Sequence, residues 1–404
     1  MKVSSLYNNK YLKQYLFYLI PFFIPIYSNF VTWTIIIYFL IHLINFNYSL
    51  FQRLSVSIKF FHPFFIFFFI EILFIRSLSN VDNALFDIQV KLSFLVMPLV
   101  FIIAIPLIID IEASIHKLKK WFIWGCSISS SIFLLNAIIQ YIYYKKILHY
   151  TDFVIWFHPS YYALYLNTAI VFLFTEYYKK NNTIFWLLFT ILVTSSLLTS
   201  SKSGWISLIL VSIVMFYKLF NIPFFIKSLL LIFIISTFVI IMNKLDNERI
   251  YYFKKSIENL LNQNQQESES SGYRIIIWQS CIDILKNEWI LGTGTGSATE
   301  TLNRYYKEKH LYHLFEKKLN AHNQFFQTFI SLGIIGFLSL IYLLLYPIIF
   351  SKKRFYEYNL IIFIIILNFL TESMLETQAG SIYTGYILSL IYFHTQFLAF
   401  KELS

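Results

Sequence analysis

The sequence predicts an all-α, polytopic membrane protein with about 12 transmembrane helices and one long external loop that contains amphipathic helices. Its composition predicts this class: 58% of the 404 residues are apolar, only 13% are charged, and the mean hydropathy is +0.63. A single soluble core cannot bury so large an apolar fraction. The spacing of the apolar runs and the placement of the basic residues predict the same class.

Twelve apolar runs are long enough, as helices of about 20 residues, to cross about 30 Å of hydrocarbon. They divide the chain into nine transmembrane helices in 1–242, a loop at 243–320, and three further helices in 321–404, all in one membrane domain. The runs lie at 11–28, 30–46, 58–75, 90–109, 119–142, 159–178, 184–199, 203–220, 223–242, 322–348, 357–372 and 381–399.

Basic residues test this topology, because lysines and arginines of short loops stay in the cytoplasm. With the N-terminus inside, 16 of the 32 basic residues are cytoplasmic and five are in short external segments, and eleven lie in the long loop beside ten carboxylates. Both chain ends are therefore predicted inside, and the start is interpreted as an uncleaved signal anchor. The net charge of +11 indicates contact with membrane lipids, and no nucleic-acid motif is present.

The long loop has three predicted parts. Asn243–Leu261 is a candidate helix, and 262–271 is a polar hinge of low complexity. From Tyr273 to Asn287, Ile275, Trp278, Ile282 and Leu285 recur at helical spacing, which predicts an amphipathic helix on the membrane surface.

A glycine turn, 291–296, follows that helix. A phosphate-binding loop needs a preceding strand, which is not predicted here, so a structural role is favoured over anion binding by its amides.

Five ionisable residues fall at the external ends of predicted spans although they are far apart in the chain. Cations at a membrane interface suit a diphosphate, because arginine offers paired donors and lysine a point charge. The alternative is that each side chain only reaches for water or anchors its helix. The residues are Arg76, His158, Lys202, Arg274 and His322.

His322 is the candidate base, because a neutral imidazole near pH 7 can accept a proton from a sugar hydroxyl. The alternative is an interfacial histidine without a chemical role. Glu372 and Glu376, one helical turn apart, could bind sugar hydroxyls, but solvation of a loop is the favoured interpretation. No Asp-x-Asp or His-x-x-x-His pattern is present, so neither a metal nor another cofactor is expected.

Four segments between 158 and 336 together resemble the bacterial O-antigen ligase and polymerase superfamily, in the family's order. His322-Asn323-x9-Gly333-x2-Gly336 resembles its histidine motif. The other segments are Tyr273-Arg274-x3-Trp278 with the glycine turn, Thr199-Ser-Ser-Lys202-Ser-Gly204, and His158-Pro159-Ser160-Tyr161. Lys202 stands where the family usually has arginine, which keeps the charge but loses the bidentate geometry.

The resemblance implies a metal-independent, inverting glycosyltransferase of the bacterial inner membrane, with its active site facing the periplasm. It would move a whole glycan from undecaprenyl diphosphate to a lipid A-core sugar, as a ligase, or to another lipid-linked glycan, as a polymerase. The match to the histidine motif favours the ligase. His322 would be the base and Arg274 would stabilise the departing diphosphate. The residues implied in substrate binding are Lys202, His158, Arg76, Asn323 and Tyr161.

A transporter or flippase for lipid-linked oligosaccharides is the alternative of another class. Twelve spans and a set of external cations would suit it. The single large loop, the lack of visible repeat symmetry and the scarcity of charges deep in most spans favour the enzyme.

Overall fold

The computed structural model describes residues 2–44, 49–75, 81–105, 108, 110–178, 182–219, 270–350 and 355–401. Within these residues the chain forms fifteen α-helices, two short 3₁₀ helices and no strand, so the predicted all-α class is confirmed. The predicted span 223–242, the candidate helix Asn243–Leu261 and most of the polar hinge lie outside the described residues.

Most of the long helices overlap a predicted apolar run, but α1 and α3 begin nine residues before theirs, and the run 90–109 is divided between α4 and α5. The 3₁₀ helices are Tyr150–Asp152 and Met374–Glu376. The α-helices are α1 (Lys2–Phe23), α2 (Ser28–Ile44), α3 (Ser49–Leu73), α4 (Val81–Lys91), α5 (Ser93–Ala104), α6 (Ile111–Tyr144), α7 (Pro159–Tyr177), α8 (Asn182–Leu198), α9 (Lys202–Leu219), α10 (Ser270–Glu288), α11 (Ala298–Glu308), α12 (Tyr312–Glu316), α13 (Gln324–Ile349), α14 (Tyr356–Phe369) and α15 (Gln378–Lys401).

Three segments of the described chain are long and apolar enough to cross a membrane: Val81–Ala104, Ile111–Tyr144 and Gln324–Ile349. Several shorter helices are also apolar. Large apolar side chains stay open on the outside of the helices, such as Leu135 (60% exposed) and Leu187 (61%), as expected where lipid is the solvent. The chain is therefore a membrane protein, and the count of 12 spans stays a prediction.

Buried side chains form two clusters. The larger one fills the space among the membrane helices. The smaller one lies between α10, α11, α12 and the first half of α13, and it includes Ile277, Cys281, Leu302, Tyr306 and Ile330. The described part of the long loop is thus a helical layer that packs onto α13.

Helix α10 covers the predicted amphipathic segment, and the residues of the predicted apolar stripe differ in how far protein covers them. Ile275 and Ile282, which were placed on the apolar stripe, are 38% and 50% exposed. The buried positions include Leu285 of the stripe and, beside it, Ile277, Cys281 and Ile284, and Trp278 packs against the same cluster. The helix is apolar on two sides, so residue spacing alone could not decide which side the neighbouring helices would cover.

Helix α13 is interrupted at Gly333, whose backbone is left-handed (φ 62°, ψ −162°). The interruption frees backbone groups of α13, and the glycine turn pairs with them. The bonds run from Thr293 N to Ile330 O (2.7 Å), from Gly294 N to Ser331 O (2.8 Å), and from Ile334 N to Trp289 O (2.8 Å). The glycine turn therefore docks directly against the kink, which explains why both segments carry glycine.

Replacement of Gly333 by alanine should destabilise this junction. A Cβ there would lie 2.3 Å from Ile290 O, and the left-handed backbone adds a strain of about 1–3 kcal/mol for a residue with a side chain. We expect Gly333→Ala to lower the midpoint of thermal unfolding in detergent much more than Gly385→Ala, where the nearest atom is 3.1 Å away. Equal losses in the two variants would contradict the docking described here.

Candidate active site

The side chains of Arg274, His322 and Glu372 meet in one cluster. Arg274 Nη2 lies 2.7 Å from Glu372 Oε1, and His322 Nδ1 lies 3.2 Å from Glu372 Oε2. The carboxylate is mostly buried, with 10% of its side chain exposed, whereas 21% of the arginine and 29% of the histidine side chain are exposed. The two residues predicted to be catalytic therefore share one carboxylate, and both remain open to a bound molecule.

Glu372 determines what His322 can do. A neutral imidazole that donates from Nδ1 to a carboxylate keeps Nε2 free to accept a proton. Burial raises the pKa of Glu372. The hydrogen bond from His322 and the charge of Arg274 together lower it by more than burial raises it, so the pKa lies below its ordinary value. Glu372 is thus an ionised acceptor for both neighbours at neutral pH.

The backbone around His322 is held on both sides. His322 itself has a left-handed backbone (φ 43°), and its amide donates to Asn320 Oδ1 at 3.0 Å. The amide of Ala321 donates to Gln327 Oε1 at 3.1 Å, and Trp278 Nε1 donates to Ala321 O at 3.1 Å. Since Trp278 lies one turn after the arginine on α10, this bond ties the helix of the arginine to the loop of the histidine. Uncommon backbone conformations of this kind concentrate at functional sites.

Asn323 starts helix α13 and joins it to the turn after α14. Its Oδ1 accepts from the amides of Phe325 (2.9 Å) and Phe326 (3.2 Å), which is the usual arrangement of a helix N-cap. Its Nδ2 donates to Leu370 O at 3.2 Å, and its amide donates to Ser373 Oγ at 3.2 Å. The side chain is therefore occupied by protein partners, and its predicted contact with substrate stays a prediction.

Arg274 has hydrogen-bonding capacity left over. A guanidinium carries five N–H donors, and Nε of Arg274 is buried without a partner among the described residues. A buried donor without an acceptor costs about 1–3 kcal/mol. An anionic oxygen that enters beside Arg274 would remove this cost.

His158 is the N-cap of α7 and lies within electrostatic reach of the cluster. Burial lowers the pKa of His158, although the Glu372 carboxylate raises it in part. The ring contacts Tyr161 (5.5 Å between centroids), and the Tyr161 hydroxyl hydrogen-bonds with Thr377. The two residues predicted at this turn therefore border the site, and their role toward substrate stays a prediction.

Lys202 begins helix α9 in a turn that touches the same region. Ser201 Oγ lies 3.3 Å from Ser160 Oγ, so the turn abuts the start of α7 two residues after His158. Lys202 is thus brought to the neighbourhood of the predicted site. Arg76, the remaining predicted residue, lies outside the described residues.

A second charged group, the Lys91 cluster, consists of Lys91, Glu71, Asp87 and Glu376. The Lys91 ammonium lies 3.1 Å from Glu71, 3.4 Å from Asp87 and 3.4 Å from Glu376. This arrangement corrects the interpretation of Glu372 and Glu376 as loop-solvating residues, because 10% and 15% of their side chains are exposed and each meets a cation. Sequence spacing placed the two glutamates together but gave no sign of their separate partners.

The glycine turn offers no free amide to an anion at residues 292–296. All five backbone amides of residues 292–296 donate to protein acceptors, which confirms a structural role. Within the described ranges no group of three or more His, Cys, Asp or Glu residues is placed to hold a metal ion. Metal independence stays a prediction that rests on the family resemblance.

Residues 184–341 match a family model described as O-antigen ligase. A protein of Haemophilus influenzae described only as uncharacterized is 29% identical over 206 residues, which is 47% of this chain and 51% of the relative. The chain thus spans about half the length of this curated relative. The family match includes Lys202, Arg274 and His322, whereas His158 and Glu372 lie outside it.

Proposed function

We propose, from the match of residues 184–341 to a family model described as O-antigen ligase, that this chain is a membrane glycosyltransferase of the O-antigen ligase superfamily. It moves a glycan en bloc from undecaprenyl diphosphate to the hydroxyl of an acceptor sugar. The observation that carries the proposal is the carboxylate of Glu372 between Arg274 and His322. The imidazole of His322 can accept a proton, and the guanidinium of Arg274 suits a diphosphate. The two groups therefore lie on the two sides of one buried anion.

His322 removes the proton from the acceptor. The acceptor oxygen approaches Nε2 and attacks the anomeric carbon of the donor as its proton passes to the imidazole. Glu372, at 3.2 Å from Nδ1, holds the ring in place and stabilises the imidazolium that forms. Positioned general-base catalysis contributes typically about 10²–10⁴-fold in rate.

Arg274 acts on the leaving group. As the new C–O bond forms, the bond from the anomeric carbon to the diphosphate oxygen breaks, and its electron pair leaves with the diphosphate. The partly exposed side chain of Arg274 donates to this anion. Attack opposite to the leaving group inverts the anomeric centre. We assign the binding of the phosphates or the adjoining sugar to Lys202 and His158, since the turn of Lys202 contacts the start of α7, which His158 caps.

The acceptor we propose is a lipid A-core sugar, because the matching family model describes ligases. The corresponding site faces the periplasm of the bacterial inner membrane, where lipid-linked glycans present their head groups. Polymerisation of lipid-linked repeats is the alternative within the superfamily, since it needs the same donor and differs only in the acceptor.

Reconstitution tests the proposal directly. Purified protein in liposomes, supplied with undecaprenyl-diphosphate-linked glycan and lipid A-core, should yield a glycan–core product and free undecaprenyl diphosphate. NMR of the new linkage should show the inverted anomer. In cells, deletion of the gene should leave long unligated chains on a polysaccharide gel, whereas single repeats on the core would identify a polymerase. Translocation of the donor without any glycan–core product would refute the enzymatic proposal.

Arg274→Ala should impair transfer more than Lys202→Arg. The alanine variant removes the cation that meets Glu372 and the leaving group, whereas the arginine variant keeps a charge at a turn near the site and adds paired donors. The measurement is the initial rate of product formation per folded protein in the reconstituted system. Equal losses in both variants would contradict this division of roles.

A further inference from the structure

The Lys91 cluster has no part in the proposed bond-making steps, yet it is one of the most buried charged groups among the described residues. Lys91 is 2% exposed and Glu71 is 1% exposed. A charge in such surroundings is stable only if it is well paired, and removal of one partner leaves the others unbalanced. A cluster of this kind fixes the segments that carry it relative to one another.

Each carboxylate around Lys91 belongs to a different part of the architecture. Asp87 Oδ2 also accepts from the amide of Gly296 at 3.1 Å, at the end of the glycine turn that follows α10. Glu71 belongs to α3, and its backbone carbonyl accepts from Thr295 Oγ1 at 2.6 Å. The cluster therefore holds the glycine turn, and through it the C-terminal end of the helix that carries the arginine of the site.

The third carboxylate leads to the other half of the site. Glu376 ends the 3₁₀ helix that begins two residues after Glu372. Gln324 Nε2 lies 3.4 Å from the same Glu376 oxygen that faces Lys91, and Gln324 Oε1 accepts from the amide of Leu375 at 2.7 Å. Since Gln324 follows the catalytic histidine by two residues, Glu376 is the point where the cluster and the site meet.

We propose that Lys91 is a positioning residue that acts through Glu376 to keep Glu372 in register with Arg274 and His322. The inference rests on the proposed glycosyl transfer. Lys91 touches none of the three side chains. It joins the turn of Glu372 to the glycine turn at the end of α10, so that the carboxylate meets the guanidinium and the imidazole together.

Two matched substitutions around the same lysine test this role. Glu376→Ala removes the carboxylate that connects Lys91 to the site, and Glu71→Ala removes the carboxylate that connects Lys91 to α3. In the reconstituted full-length protein we expect Glu376→Ala to lower kcat about tenfold or more while KM changes little, because a misplacement of about 1 Å can cost about 10²-fold. Glu71→Ala should retain the kcat of the wild type, because the glycine turn keeps its bonds to Asp87 Oδ2 and to the backbone carbonyl of Glu71. Both variants lose a buried ion pair, so their melting temperatures should fall by similar amounts.

A double variant adds a second readout. If Lys91 acts through Glu376, the kcat of Lys91→Met/Glu376→Ala should be no lower than that of Lys91→Met alone. Equal kcat losses in Glu376→Ala and Glu71→Ala, or no loss in either, would overturn the inference. This comparison tests the role of Lys91 even if Lys91→Met does not fold. An inactive wild type would instead refute the proposed function and this inference with it. An active wild type with a fully active Glu376→Ala would refute only the role of Lys91.

Discussion

His322→Ala should reduce glycan transfer by about 10²–10⁴-fold, the usual contribution of a positioned general base, without loss of protein from the membrane. The variant removes the only group in the cluster that can take the acceptor proton, because Arg274 is always charged and Glu372 is shared by two donors. The measurement is the rate of product formation in liposomes, with protein level followed by immunoblot of membranes.

His310→Ala is a matched control for that variant. His310 has the same left-handed backbone (φ 57° against 43° for His322), lies in the same loop and is exposed. Alanine therefore meets the same backbone strain at both positions, but only one of them faces the carboxylate. Unimpaired transfer in His322→Ala would refute the role of His322 as the base that takes the acceptor proton.

Glu372→Gln should also cause a large loss, of about tenfold to 10⁴-fold in kcat, because it removes the charge that orients and stabilises the protonated base. A carboxylate can accept from Arg274 and His322 together. An amide has one accepting oxygen and one donating nitrogen, so one of the two neighbours loses its acceptor. The pKa of Glu372 lies below its ordinary value, so the substitution removes a full negative charge at neutral pH. The rate per folded protein is the quantity to measure.

Glu357→Gln is the corresponding control. Glu357 is also buried and ion-paired, at 2.6 Å from Lys119, but it lies near the start of α14, whereas Glu372 lies beyond its end. At 1.5 Å per helical residue the two carboxylates are about 20 Å apart. Glu357→Gln should lower the unfolding temperature with little effect on the rate. A similar drop in the rate per folded protein from both variants would contradict a specific role of Glu372 in the site.

Local patterns were enough for the class of the protein and for part of its site. Long apolar runs predict membrane helices because each helix satisfies its own backbone in lipid. Arg274 and His322 were predicted from short motifs, and the structure brings their side chains to one carboxylate. That closeness depends on Trp278 and Ala321, which bond helix α10 to the histidine loop, and a resemblance of motifs says nothing about such a bond.

Other features had no local signal. From the sequence, the two glutamates after α14 were interpreted as part of a solvated loop, because their partners Arg274 and Lys91 lie far away in the chain. Residue spacing did not decide which side of α10 the neighbouring helices cover, because both sides of that helix are apolar. In each case the missing information was which distant segment covers the residue.

The sequence by itself determined that this chain is a helical membrane protein and which short segments carry its arginine and histidine motifs, since hydropathy and short motifs are properties of neighbouring residues. Only the tertiary structure decided that Glu372 joins the arginine to the histidine, and that Lys91 collects three carboxylates from different segments. The physical reason is that buried charges are stable only when they are paired, and the packing of distant helices determines which of them can meet.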